Sequence, residues 1–490
     1  MPPVIIPVMN FALAAPEIFL LIMTCIIMLV DLYSAEENRE GRLYFLSLFT
    51  LIVTAIMLCM QVSAAGDSAG IGFAFNRMFI IDGMSVLLRI AITLSVAMVI
   101  VYSRAYLAAR KLFSGEFILL ILFATLGMMV MVSANHFVSL YLGLELLALS
   151  SYAMVALNRD SVTSSEAAMK YFILGALASG LLLYGLSMIY GATGSLDVTT
   201  VAKIIEGSRA NDPLITFGLV FVVAGLSFKL GVVPFHMWIP DVYHGAPTAM
   251  TLFIGSAPKI AAFGFIMRIL ADSMGGAVGD WQNLLIIMAV LSLALGNIVA
   301  IAQTNLKRML AYSTISHMGF LLLGILSGTK SGYSSAMFYI LSYTMMTMAG
   351  FAMIMLLSRT GFEADRLEDL KGLNQRSPWY AFLMLMVMFS MAGIPPLLGF
   401  WAKLAVLEAA LNAGYTWLVV FAVLMSVIGA FYYLRIIKLM YFDAPLDASP
   451  IIATAGFRGL LAVNAFGLLA LGLFPGALMT ACLNAIQRSL

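Results

Sequence analysis

The sequence predicts an all-α, polytopic membrane protein with about fourteen transmembrane helices, and three observations carry that prediction. Of its 490 residues, 62% are hydrophobic and only 10% charged, whereas a soluble domain carries about a quarter charged residues. The apolar residues recur in stretches of about twenty, the length that crosses roughly 30 Å of hydrocarbon. No period-two alternation of the kind a membrane barrel needs is visible. Lipid offers backbone groups no hydrogen-bond partner, so each stretch must be a helix.

Divided at charged residues and at Gly, Pro and Asn, the chain gives helices over 11–31, 43–63, 79–103, 116–132, 135–157, 166–191, 213–233, 248–270, 281–302, 308–327, 334–358, 378–408, 415–440 and 456–480. The N-terminus has two prolines, Pro2 and Pro3, no basic stretch and no small-residue cleavage site before residue 31. It reads as a retained first span, not a removed signal. With that terminus outside, the loop Lys and Arg divide fifteen inside, Arg39, Arg110, Lys307, Arg308 and Arg376 among them, against six outside, including Arg77, Arg268 and Lys330. Basic loops stay inside, so both termini are expected outside.

The middle of the chain looks duplicated. Ala168-Met169-Lys170-Tyr171-Phe172-Ile173-Leu174 resembles Ala336-Met337-Phe338-Tyr339-Ile340-Leu341, and Asn135 with Tyr141 resembles Asn305 with Tyr312. Val232-Val233-Pro234-Phe235 follows the seventh helix, while Gly393-Ile394-Pro395-Pro396 interrupts the twelfth. The offsets, near 165–171 residues, amount to five helices, an odd number, so the copies must be inverted. Inverted repeats with paired interrupted helices are a transporter signature. The expected division is a three-helix segment (1–114), a first five-helix repeat (115–272), a second, inverted one (273–441) and a last helix (442–490).

Five basic residues fall inside spans: Arg89, Lys170, Lys229, Lys259 and Lys403. Glu145 lies near the middle of the fifth helix, and Glu17 in the outer half of the first. A charge at the bilayer centre costs roughly 2.5–3.5 kcal/mol on the most lenient scale, so these side chains are expected to face the bundle interior. Lys229 precedes the Pro234 break, where freed backbone is tolerated only beside protein or water. Desolvation and a neighbouring carboxylate such as Glu145 act in opposite senses on an ammonium, which suits the pair to proton exchange. The alternative is a static ion pair joining two helices. Lys259 follows Pro258, and Lys403 follows the Gly-Ile-Pro-Pro break. Lys170 is near its helix start and either joins the buried set or reaches the headgroups. Arg89 is expected to pair with Asp82, about two turns away. His236 and His317 are candidate proton relays, unless each only satisfies a local hydrogen bond.

Other chemistries find little support. Cys25, Cys59 and Cys482 are isolated in apolar segments, and with four histidines no ligand set has metal-site spacing. The net charge of +2 comes without a basic tail or patch, so nucleic acid is not expected. The 35 methionines read as packing residues, and Gly191 to Gly194 lacks the lysine of a phosphate loop.

Gly225-Leu226-Ser227-Phe228-Lys229-Leu230-Gly231, Val233-Pro234-Phe235-His236-Met237-Trp238-Ile239-Pro240-Asp241, Gln303-Thr304-Asn305-Leu306-Lys307-Arg308 and Tyr312-Ser313-Thr314-Ile315-Ser316-His317 resemble signatures of the antiporter-like membrane subunits of respiratory complex I. The resemblance covers essentially the whole chain. The opening Ala15-Pro16-Glu17-Ile18-Phe19-Leu20, lysine rather than glutamate at 403, and no long C-terminal lateral helix point to one of the three such subunits. It implies a proton-translocating subunit without a redox centre, with FMN, iron–sulfur clusters and quinone held by other subunits. It further implies that Glu145 pairs with Lys229, Lys170 modulates that pair, Lys259 links two half-channels and Lys403 serves the outer exit. Implied partners are other membrane-arm subunits, antiporter-like ones included. The implied location is a bacterial inner membrane, with both termini periplasmic. A subunit of a multisubunit sodium/proton antiporter, built on the same helices, is the alternative.

Overall fold

The computed structural model describes residues 9–34, 39–65, 71–209, 212–447 and 449–490; Pro2 and Pro3 lie outside them. The helices are α1 (Ala15–Tyr33), α2 (Arg39–Ala65), α3 (Gly83–Ala108), α4 (Gly115–Val132), α5 (Phe137–Val155), α6 (Val162–Thr193), α7 (Val198–Ile204), α8 (Pro213–Leu230), α9 (Trp238–Gly245), α10 (Thr248–Gly255) and α11 (Ala257–Ile266). There follow α12 (Val278–Ala302), α13 (Leu306–Leu326), α14 (Lys330–Leu357), α15 (Leu373–Arg376), α16 (Pro378–Ala392), α17 (Leu398–Asn412), α18 (Thr416–Phe442), α19 (Ala455–Leu473) and α20 (Gly476–Gln487). Thirteen helical stretches among the described residues are long and apolar enough to cross a membrane. The remaining predicted span, 378–408, is the broken pair α16 and α17. Side chains of Ser114, Ser161, Asp212, Asn305 and Thr329 cap helix starts, each accepting from a first-turn backbone N–H.

Several spans differ from the sequence expectation, each for a local reason. The helix expected to reach residue 233 stops at Leu230, because Gly231 adopts a left-handed conformation (φ 78°). The 248–270 span is interrupted at Ser256, just before Pro258, and closes in a π-helical turn, Met267–Ser273. The last span is interrupted at Phe474-Pro475. A hairpin of β1 (Gly72–Ala74) and β2 (Phe79–Ile81), unforeseen, precedes α3.

The core runs through α10–α11, α13 and α14, whose spans are 94% buried, while α18 is only 28% buried and faces outward. Two knots of backbone lock the loops. In one, the Asn135 side chain donates to Asp197 and Phe137 N to the Leu196 carbonyl; in the other, the Asn305 side chain donates to Asp365 and Leu306 N to the Asp365 carbonyl. The breaks match as well. Val232 N donates to Ser227 O and Phe235 N to Val232 O, and 162 residues later Ile394 N donates to Phe389 O and Leu397 N to Ile394 O. Five crossings separate the start of α5 from that of α13, so the knots sit on opposite membrane faces.

Candidate functional site

At the first break the chain end of α8 is exposed inside the bundle, and a lysine from another helix covers it. Lys259, on α11 and 1% exposed, donates from Nζ to the carbonyls of Lys229 (3.1 Å) and Leu230 (2.7 Å). A helix C-terminus presents unpaired carbonyls and a partial negative charge, so a cation is favoured there. Trp238, the first residue of α9, lies under the ammonium with its ring centroid 5.0 Å away, and its indole N–H donates to the Phe228 carbonyl (2.9 Å). Tyr171 of α6 stacks on that indole at 4.6 Å. Lys229, Lys259, Trp238, Tyr171, Leu144 and Leu147 help line a cavity of about 20 Å³, room for about one water.

The second break repeats the arrangement with different parts. Lys403, on α17, donates to the Ala392 carbonyl at the end of α16 (2.8 Å) and to Ser426 Oγ (3.0 Å). The Phe320 ring lies 5.1 Å from its ammonium. His317, on α13, is buried and bonded at both ring nitrogens, to the hydroxyls of Tyr339 (2.7 Å) and Tyr433 (3.1 Å). The Tyr343 ring sits 5.3 Å from the imidazole, and its hydroxyl donates to Thr314 (2.8 Å). α13 touches α9, α14 and α17, so the imidazole and the Thr314 hydroxyl lie on the helix that joins the two breaks, with the tyrosine hydroxyls reaching them from α14 and α18.

Other expected residues sit differently. Among the described residues Glu145 makes no ion pair with Lys229; it accepts a hydrogen bond from Ser179 of α6, and the Lys229 ammonium lies 5.7 Å from the Phe228 ring centroid. Both are half-buried, and the two charges interact through space. Lys170 pairs with Asp241 (2.8 Å) and Glu166 (2.9 Å). His236 lies in the break itself and is half-buried. Arg89 bonds Glu17 (2.8 Å) rather than Asp82, which instead meets Arg268 (2.8 Å).

Sequence reasoning missed three residues by placing them in loops or passing over them. Lys307 is 3% exposed and caps α9 through the Ala246 carbonyl (3.0 Å). Arg268 is 1% exposed and bridges Asp82 and Asp272, each at 2.8 Å. Asp241 joins Lys170 to Arg308 (3.1 Å). The motif Pro240-Asp241 beside a break was the only available signal for the last.

The geometry is that of an ion-translocating membrane subunit: lysines inside a helical bundle, each set on the carbonyl end of a broken helix. Residues 134–429 match the family described as NADH:quinone oxidoreductase/Mrp antiporter, TM, and the chain belongs to that family. It is 58% identical over 481 residues to NADH-quinone oxidoreductase subunit N of Nitrosomonas europaea, covering 98% of this chain and 99% of the relative. It is also 58% identical over 482 residues to subunit N of Thiobacillus denitrificans, covering 98% of both. A chain of respiratory complex I from Thermus thermophilus superposes with a TM-score of 0.81 at 31% identity, covering 96% of this chain and all of that one. A chain of the Mrp complex from Dietzia sp. superposes with a TM-score of 0.85, covering 98% of this chain and 97% of that one, but at 21% identity this likeness is one of fold alone.

Proposed function

We propose that this chain is a proton-translocating subunit of the membrane arm of NADH:quinone oxidoreductase, coupling electron transfer from NADH to quinone with proton movement across the bilayer. The observation that carries the reading is Lys259 seated on the carbonyl end of α8 beside Lys229 and a water-sized cavity. An ammonium held by neutral carbonyls can lose its proton and leave no uncompensated carboxylate behind, which suits it to relay work. Glu145, Lys229, Lys259 and Lys403 carry the proton, with Lys170, His236 and His317 in support. Residues 115–272 and 273–441 act as two inverted half-channels, between the three-helix segment 1–114 and the final segment 442–490. Both termini face the periplasm of a bacterial inner membrane. Electron carriers (FMN, iron–sulfur clusters and quinone) belong to other subunits, and this chain binds no redox group. The partners are the other membrane-arm subunits, antiporter-like ones among them. A sodium/proton antiporter subunit shares the fold, but the 58% identity to subunit N over nearly the whole chain favours the oxidoreductase.

The test replaces Glu145, Lys229, Lys259 and Lys403 singly by alanine in the whole complex and measures assembly, NADH:quinone turnover and proton transport separately. Assembled variants are expected to lose proton transport. Wild-type transport in every assembled variant overturns the reading.

A further inference from the structure

We infer that Asp241 is a positioning residue for proton transfer: it tethers the first turn of α9, the free-standing piece of the broken helix whose first residue, Trp238, lies against Lys259. The inference rests on the proton route proposed above and adds to it a residue that carries no proton.

The reasoning begins with the backbone. α9 has eight residues, about 12 Å of helix, and chain breaks on both sides: Gly231–Met237 before it and Ala246-Pro247 after it. Neither flanking helix fixes it through continuous backbone hydrogen bonds, so side chains must set where it lies. In its first turn, Asp241 Oδ2 meets Lys170 of α6 at 2.8 Å and Oδ1 meets Arg308 of α13 at 3.1 Å. One carboxylate thus ties α9 to a helix of each repeat. Lys307, the neighbour of Arg308, holds the end of α9 through the Ala246 carbonyl. At the buried end, three residues before Asp241 and so about one turn away, Trp238 lies 5.0 Å from the Lys259 ammonium and holds the Phe228 carbonyl.

A shift of α9 therefore moves Asp241 and Trp238 together. Loosening the Asp241 tether draws Trp238 off Lys259, removing the ring face that favours the ammonium, and opens the cavity wall that the indole supplies. Asp241 acts on the lysine through the helix. Its two cations come from opposite repeats, so the same tether carries a displacement of α13, the helix of His317, to the first lysine site.

Asp241→Asn, Asp241→Glu and Lys229→Ala are to be prepared in the whole complex, reconstituted in proteoliposomes, and assayed for NADH turnover, protons moved per NADH and the pH profile of transport. Asp241→Asn is expected to lose as large a share of the proton yield as Lys229→Ala and to shift the pH profile, while Asp241→Glu regains most of that yield. Wild-type yield and profile in Asp241→Asn, with Lys229→Ala impaired, overturn this inference and leave the proton route standing. Wild-type yield in both overturns the route as well. An Asp241→Glu variant as poor as Asp241→Asn shows a demand for packing alone and also overturns it. Should Asp241→Asn fail to assemble, Arg308→Gln serves instead, because it cuts the inter-repeat tether and leaves the Lys170 contact; reduced yield supports the tether, and wild-type yield refutes it.

Discussion

The charges near the membrane faces and those at its centre are held in opposite ways. Toward the faces most cations find a carboxylate: Arg89 has Glu17, Arg268 has Asp82 and Asp272, Arg110 has Glu363, and Lys170 and Arg308 share Asp241, with Lys307 on the Ala246 carbonyl the exception. At the two breaks, Lys259 and Lys403 hydrogen-bond, among the described residues, only to backbone carbonyls and one serine. Removing one member of a buried ion pair strands the other charge, which locks the pair in place. A carbonyl that loses its lysine proton is still a neutral group facing an amine that can donate. The difference separates charges that hold helices from charges that can change.

The comparison is tested hardest at Arg268, 1% exposed between two carboxylates. Arg268→Gln should lower stability by about 3–5 kcal/mol, the cost of breaking a buried ion pair, and thermal unfolding of the purified complex should show this subunit lost first. A loss below about 1 kcal/mol would mean that water already screens the cluster and that the faces are no more locked than the centre.

Lys259→Met is the matching test at the centre. It removes two charge-assisted hydrogen bonds, each worth roughly 1.5–3 kcal/mol, but also the several-kcal/mol desolvation of a buried ammonium. These oppose, so stability should change by less than about 2 kcal/mol while proton transport falls. A variant as unstable as Arg268→Gln would make Lys259 a structural clamp.

Gly393→Ala sharpens the same contrast at the second break. Its φ of 87° suits glycine, and an added Cβ would come within 2.9 Å of Lys403 Cδ. The backbone cost is about 1–2 kcal/mol, and the Lys403 side chain must shift off the Ala392 carbonyl. Transport should suffer more than unfolding temperature; the reverse would show that the break serves stability only.

How much of this was legible in the sequence follows from the range of each signal. Helix existence was readable because an apolar run reports its own environment, and Pro234 and Pro395-Pro396 announced the breaks. The partners were not. Arg89 seemed destined for Asp82, seven positions away, but the fold brings Glu17 from another helix. Lys307 and Arg268 lie at span ends and read as loop residues, yet neighbouring helices bury both. The β1–β2 hairpin has three-residue strands, too short to show alternation. Glu145 and Lys229 were placed near one another, and they interact through space, but the carboxylate's hydrogen bond comes from Ser179, on a third helix. Local pattern finds the buried charge; only packing chooses what it touches.

The smallest expected effect belongs to a charge at the membrane surface. Asp447 accepts from the Ser449 hydroxyl (2.6 Å) and backbone N–H (2.8 Å) and faces Arg359 at 2.7 Å and Arg376 at 3.7 Å. Those hydrogen bonds first, and the arginines after them, hold its carboxyl down to about 2. An unfolded aspartate titrates near about 3.9, so the folded value is depressed. The stabilising contribution is then complete above about pH 4 and disappears as the pH falls through about 2. Asp447 is about a third exposed, and solvent and salt screen an exposed pair. Asp447→Asn should therefore leave proton transport at wild-type level and lower the unfolding temperature slightly at neutral pH, a difference that shrinks toward pH 2 and in high salt. A difference that persists unchanged at low pH would place its origin in the Asp447–Ser449 hydrogen bonds rather than in its charge.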